Sequence, residues 1–149
     1  MARLANIVAG CAVLLSAGGV AAHEIRQKNL EIIHPWTAAS SEPAAPDAAI
    51  YMKIRNRGKG PDRLLSASSA RAASMELQSS GATENTGENQ AKDSIELKPG
   101  AEMAMKPTGP RLVMHGLVKP LYAYDIFQVS LLFEKAGRID VEVMVEEAD

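Results

Sequence analysis

Ile139, Val141, Val143 and Val145 alternate with Asp140, Glu142 and Met144 near the C-terminus. Side chains on a strand repeat every two residues, so this run presents one continuous β-branched face. Just upstream, Phe127, Val129, Leu131 and Phe133 repeat the same spacing within Asp125 to Phe133, and Lys135-Ala136-Gly137 joins the two runs. Two alternating runs about a short Gly-containing turn read as a β-hairpin. No window of useful length carries a helical period. An apolar strand face needs another sheet over it, so the pattern predicts an all-β chain, an antiparallel sandwich.

The rest of the chain keeps this rhythm. Lys28 to Ile33 is a predicted strand with Leu30 and Ile32 on one side, ended by His34-Pro35-Trp36. Residues 37–49 hold two prolines and many small side chains, which predicts a loop. Ile50, Met52 and Ile54 alternate with Tyr51, Lys53 and Arg55, a half-buried strand. Further strands are expected from Leu64-Leu65 and over Ala73 to Leu77, and a long polar loop over Ser79 to Asp93. The acidic end, Glu146-Glu147-Ala148-Asp149, reads as a solvated tail.

Residues 95–117 bring in chemistry. Ile95 and Leu97 open a strand that Lys98-Pro99-Gly100 breaks. Met103 and Met105 follow on one strand face, and Met114-His115 lies in the strand after the turn Lys106-Pro107-Thr108-Gly109-Pro110. Thioether and imidazole are ligands that suit Cu(I). The plainer reading makes these methionines fillers of an irregular core.

The 149 residues suffice for one domain with a core. A net charge of −2 and a sequence pI near 5.9 give no basic surface for nucleic acid. Residues 1–22 read as a signal peptide: Arg3, an apolar run from Leu4 to Val20, and the cleavage site Val20-Ala21-Ala22. Glycines at 10, 18 and 19 and the charges that follow make it a poor membrane span, so an integral membrane protein is not expected. Cleavage there leaves 23–149 as one β-sandwich domain, removes Arg3 alone among the charges, and leaves 15 basic against 18 acidic residues, net −3. Cys11 is the only cysteine and leaves with the signal, so no disulfide or thiolate site is expected. Val8-Ala9-Gly10-Cys11 imitates a lipoprotein box, but the apolar run continues past it, against lipid anchoring. No Gly-x-Ser-x-Gly elbow, activated thiol or phosphate-cradling loop is present, and an enzyme is not expected.

Several segments together resemble the PCu(A)C family of periplasmic copper chaperones. They are His34-Pro35-Trp36, residues 49–56, residues 62–69, Ile95 to Gly100, Gly116 to Leu121 and Leu131 to Gly137, in order over nearly the whole mature chain. The resemblance implies a cupredoxin-like Greek-key antiparallel β-sandwich in the periplasm. It also implies Cu(I) as cargo, with a respiratory oxidase subunit or another copper carrier as partner.

The family's copper motif is His-x10-Met-x21-His-x-Met. Laid on this chain without a gap it falls on Gln78, Asn89, Arg111 and Val113. Amide oxygens are hard donors, a guanidinium has no lone pair to give and Val has no donor. Three readings follow. Copper binds at a relocated site of His115 with Met103, Met105 or Met75. Copper binds at His23, the expected mature N-terminus, through amine and ring nitrogen, with His34 as second ligand. Or the sandwich has lost the metal and works as a protein-interaction module.

Overall fold

The computed structural model describes residues 24–40, 46–79 and 90–148. The expected signal peptide with Cys11, His23, Asn89 and most of the expected 79–93 loop lie outside them. Every regular element among the described residues is a strand: β1 (Glu24–Gln27), β2 (Leu30–Ala38), β3 (Asp47–Asn56), β4 (Asp62–Ser68), β5 (Ala72–Ser79), β6 (Gln90–Lys92), β7 (Ile95–Leu97), β8 (Glu102–Ala104), β9 (Arg111–Leu117), β10 (Ile126–Phe133) and β11 (Gly137–Glu146).

The strands follow one hydrogen-bonded path, β6-β5-β9-β3-β2-β11-β10-β4-β7, with β1 on β2 and β8 on β3. The path folds over to make a nearly closed Greek-key β-sandwich. Its core takes Ile32 from β2, Ile50, Met52 and Ile54 from β3, Leu64 from β4, Leu112 and Met114 from β9, and the alternating residues of β10 and β11. Burying each such side chain is worth about 1.5–3 kcal/mol, so the alternation fixes which face turns inward. The expected hairpin is present, with Phe127 opposite Val143, Leu131 opposite Ile139 and Phe133 opposite Gly137. Gly137 turns at φ 76, a conformation that disfavours residues with a Cβ.

Glu24–Gln27 is a strand where none was expected, Gln90–Lys92 is a strand within the span expected to be loop, and the sheet departs from the sequence reading in three further places. First, it is mixed and not purely antiparallel, because β11 runs parallel to β2, Met144 beside Trp36 and Val145 beside Thr37. Second, His34-Pro35-Trp36 does not end its strand. The register on β3 shifts between Ile33 and Trp36, and His34 takes φ 50, so a bulge absorbs the proline and β2 continues to Ala38. His34 Nε2 sits 2.8 Å from Glu146 Oε1 on β11, and the Trp36 and Tyr51 rings pack at a tilt of 44° with centroids 5.0 Å apart. Third, β3 starts at Asp47 and not at Ile50, so residues expected to be loop extend the sheet along β9.

Two buried carboxylates tie the barrel-like ends. Asp62 accepts the backbone N–H groups of Arg63, Lys135 and Ala136, which closes the β10–β11 turn onto β4. Glu31, 3% exposed, meets Arg26, Arg55 and Arg57. The Arg57 guanidinium, first among these partners, holds its carboxyl well below the usual range, at about 2.

Candidate functional site

β9 lies between β3 and β5, and its alternation sorts the sequence-predicted residues onto two faces. Leu112 and Met114 turn into the core, and Arg111, Val113 and His115 turn to the outer face. The register sets Arg111 beside Gln78, Val113 beside Glu76 and His115 beside Ser74 on β5. On the other side it sets His115 beside Asp47 and Val113 beside Ala49 on β3. Three of the four positions given by the copper motif therefore do converge on one outer patch; Asn89, the fourth, is outside the described residues.

The side chains of that patch make a continuous polar chain. Arg111 Nε donates to Gln78 Oε1 at 3.1 Å, and Arg111 Nη1 to the Pro107 carbonyl at 3.3 Å. Gln78 Nε2 donates to Glu76 Oε1 at 3.2 Å. Glu76 Oε2 lies 2.9 Å from His115 Nε2, and Asp47 Oδ2 lies 3.1 Å from His115 Nδ1. Both ring nitrogens face carboxylates, so hydrogen bonding to Glu76, then to Asp47, raises the His115 pKa above its ordinary value. In its protonated form such an imidazole donates to both carboxylates and has no lone pair left for a metal.

Local backbone fixes the arrangement. Gly116, next in the strand, has φ 66, and a Cβ there would lie 3.0 Å from that of Ala73. A residue with a Cβ would be strained in this conformation and would crowd Ala73 on β5.

Met103 and Met105 are not part of this patch. Met103 pairs with Ile54 and packs against the core, Met105 is core, and Met114 is fully buried. His115 stands on the opposite face, so the structure does not bring the three together as the relocated copper site requires. Among the described residues no group of three or more His, Cys, Asp or Glu side chains is placed to hold a metal ion.

The residues present do not fit Cu(I). Gln78 offers an amide oxygen that already accepts from Arg111, and Val113 offers nothing. A cation about 4 Å from the Arg111 guanidinium would be opposed by about 4 kcal/mol at a partly solvated surface. The sequence reading missed Glu76 and Asp47. Glu76 had a usable signal, since it stands two residues from Gln78 and so shares its face; Asp47 depends on cross-strand register, which sequence does not show.

A family model described as "Putative lipoprotein LpqE-like" matches residues 30–145. A curated relative, "Putative lipoprotein Lxx21020" of Leifsonia xyli subsp. xyli, is 26% identical over 140 residues, 93% of this chain and 81% of its own. Among solved structures, a copper-bound PCuAC domain from PmoF2 superposes with a TM-score of 0.74 at 28% identity, over 85% of this chain and 99% of that domain. The Cu(I) form of DR1885 from Deinococcus radiodurans superposes with a TM-score of 0.62 at 20% identity, over 87% of this chain and 85% of that one, a likeness of fold. No helix among the described residues is long and apolar enough to cross a membrane.

Proposed function

Since the chain belongs to the LpqE-like family and has the PCuAC fold, we propose that it is an exported, periplasmic member of the copper-chaperone-like group whose copper face has become a protein-contact face. One observation supports the reading: Arg111 and Gln78, two of the positions where the family's ligands would stand, are spent on one another, and the neighbouring His115 is held between Glu76 and Asp47. A half-buried patch of alternating charge on a rigid sheet suits a partner surface of matching charge, where such pairs set orientation and encounter rate. No catalytic step is assigned to it.

Grafting tests this. Gln78→His, Asn89→Met, Arg111→His and Val113→Met together restore the family's ligand set at its spacing. The grafted protein is expected to gain Cu(I) binding that the parent lacks. A folded graft without Cu(I) binding would overturn the correspondence of positions on which the reading stands.

A second reading is supported by the likeness to a copper-bound domain at 28% identity. In it the protein carries Cu(I) toward the copper centre of a respiratory oxidase or to another carrier, and the metal is held at the mature N-terminus by His23. Blocking the N-terminal amine separates the two, because only the second reading needs it free.

A further inference from the structure

Away from the polar chain, a cleft of about 750 Å³ opens where β4 crosses to β5 beside β10. Its walls include Ser69 and Arg71 of the crossing, Val118 and Lys119 after β9, and Phe127 of β10. None of Asp47, Glu76, Gln78, Arg111 and His115 lines it. A volume of this size is within the usual range for small-ligand sites.

Arg71 is the feature that a structural role leaves unexplained. Its side chain is only 10% exposed. Nη2 donates to Asp125 Oδ2 at 2.9 Å and to the Pro120 carbonyl at 3.2 Å, and the guanidinium lies over the Phe127 ring, 5.4 Å from its centroid. These contacts fix the plane of the group. Nε is nonetheless buried with no hydrogen-bond partner among the described residues. An orphaned buried N–H is unfavourable, and with Nη2 already spent on Asp125 and Pro120 it is the one donor on this edge left to give a carboxylate or other oxyanion a single hydrogen bond.

The charges around it select the ligand. Arg71, Lys119 and Arg138 line the cleft, but Asp125 pairs with Arg71 and Asp140 with Arg138. Three positive charges against two negative leave one, carried in effect by exposed Lys119, which has no ion-pair partner among the described residues. One net charge suits a monoanion better than a phosphate dianion. Phe127 and Val118, the latter 69% exposed, give an apolar wall with no cover among the described residues.

We propose that this cleft binds a carboxylate carried on an apolar body, with Arg71 Nε–H as its fixed donor, Lys119 as its second charge and Phe127 and Val118 as the wall for the apolar part. The same chemistry comes from a free medium-chain acid or from the C-terminal carboxylate of a peptide ending in an apolar residue.

The test uses the mature protein and follows the Arg71 Nε–H signal in 1H–15N spectra, with affinity by calorimetry. The probes are octanoate, the tripeptide Ala-Ala-Phe and its C-terminal amide. Octanoate or the free tripeptide should move the Arg71 Nε–H signal and the amides around Val118, and which of them does so identifies the source. Arg71→Lys keeps the charge beside Asp125 and removes the Nε donor, and should weaken binding about tenfold or more. Lys119→Gln, an exposed change that leaves the fold alone, should weaken it about two- to fivefold. If neither carboxylate moves the Arg71 signal, or if the amide binds as well as the acid, the proposal is wrong.

Discussion

His115 and Glu76 meet diagonally across two neighbouring strands, Nε2 to Oε2 at 2.9 Å, on the sheet face that also carries Gln78, Arg111 and Val113. Asp47 closes the other side of the ring. The imidazole therefore ties β9 to both neighbours.

The first expectation concerns its titration. The His115 ring signal in NMR should titrate above the ordinary 6.5, and Glu76→Gln should lower it more than Asp47→Asn, as Glu76 is the larger cause. A pKa raised on folding gives stability that is fully present below 6.5 and fades as pH rises through the folded value. A His115 that titrates at or below 6.5 would mean that the clamp is not formed.

Glu31 has the opposite sign. Its folded pKa lies at about 2 against 4.5, chiefly through Arg57, so its contribution is full above 4.5 and disappears as pH falls from there to about 2. Urea unfolding across pH 2 to 6 should show wild-type stability falling in that window. Glu31→Gln should show a flatter acid limb and a lower plateau, and an unchanged limb would remove Glu31 from the acid response.

Much of this fold could be read from the chain. Ile139 to Val145 and Phe127 to Phe133 announce their strands because one face is apolar and the other wet. The second half of β2 was hidden by Pro35, since a proline normally ends a ladder, and the bulge with His34 at φ 50 lets the strand continue. The start of β3 was hidden because Ala48 and Ala49 have weak strand preference, and β9 recruits them through pairing. The parallel contact of β11 with β2 joins residues over a hundred positions apart and leaves no local mark. At the site, motif spacing placed Gln78, Arg111 and Val113 together, but what they do there depends on Glu76 and Asp47, which only the register supplies.

Asp62 serves three backbone donors at once, from Arg63, Lys135 and Ala136. Asp62→Ala leaves them unpaired in a buried corner and should cost about 2–4 kcal/mol by urea unfolding. A loss under about 1 kcal/mol would mean that water replaces the carboxylate freely.

Met114 separates core from ligand chemistry. It is fully buried between β5 and β3, so Met114→Leu, nearly equal in volume, should cost less than about 1.5 kcal/mol, while Met114→Ala should cost about 2–5 kcal/mol. Neither change should alter Cu(I) affinity, since the thioether faces away from His115. Cu(I) binding shown by the parent and lost in Met114→Leu would place the sulfur in a metal site.

The most direct measurement is a Cu(I) titration of the mature protein with its native N-terminus, under reducing conditions against a competing chelator, followed by NMR at His115. The expected result is that the His115 signals and the amides of residues 76–78 and 111–115 stay fixed at one equivalent of copper. Tight one-to-one binding that shifts those signals would contradict the reading, because it would show that Glu76, Asp47 and Arg111 give way to the metal.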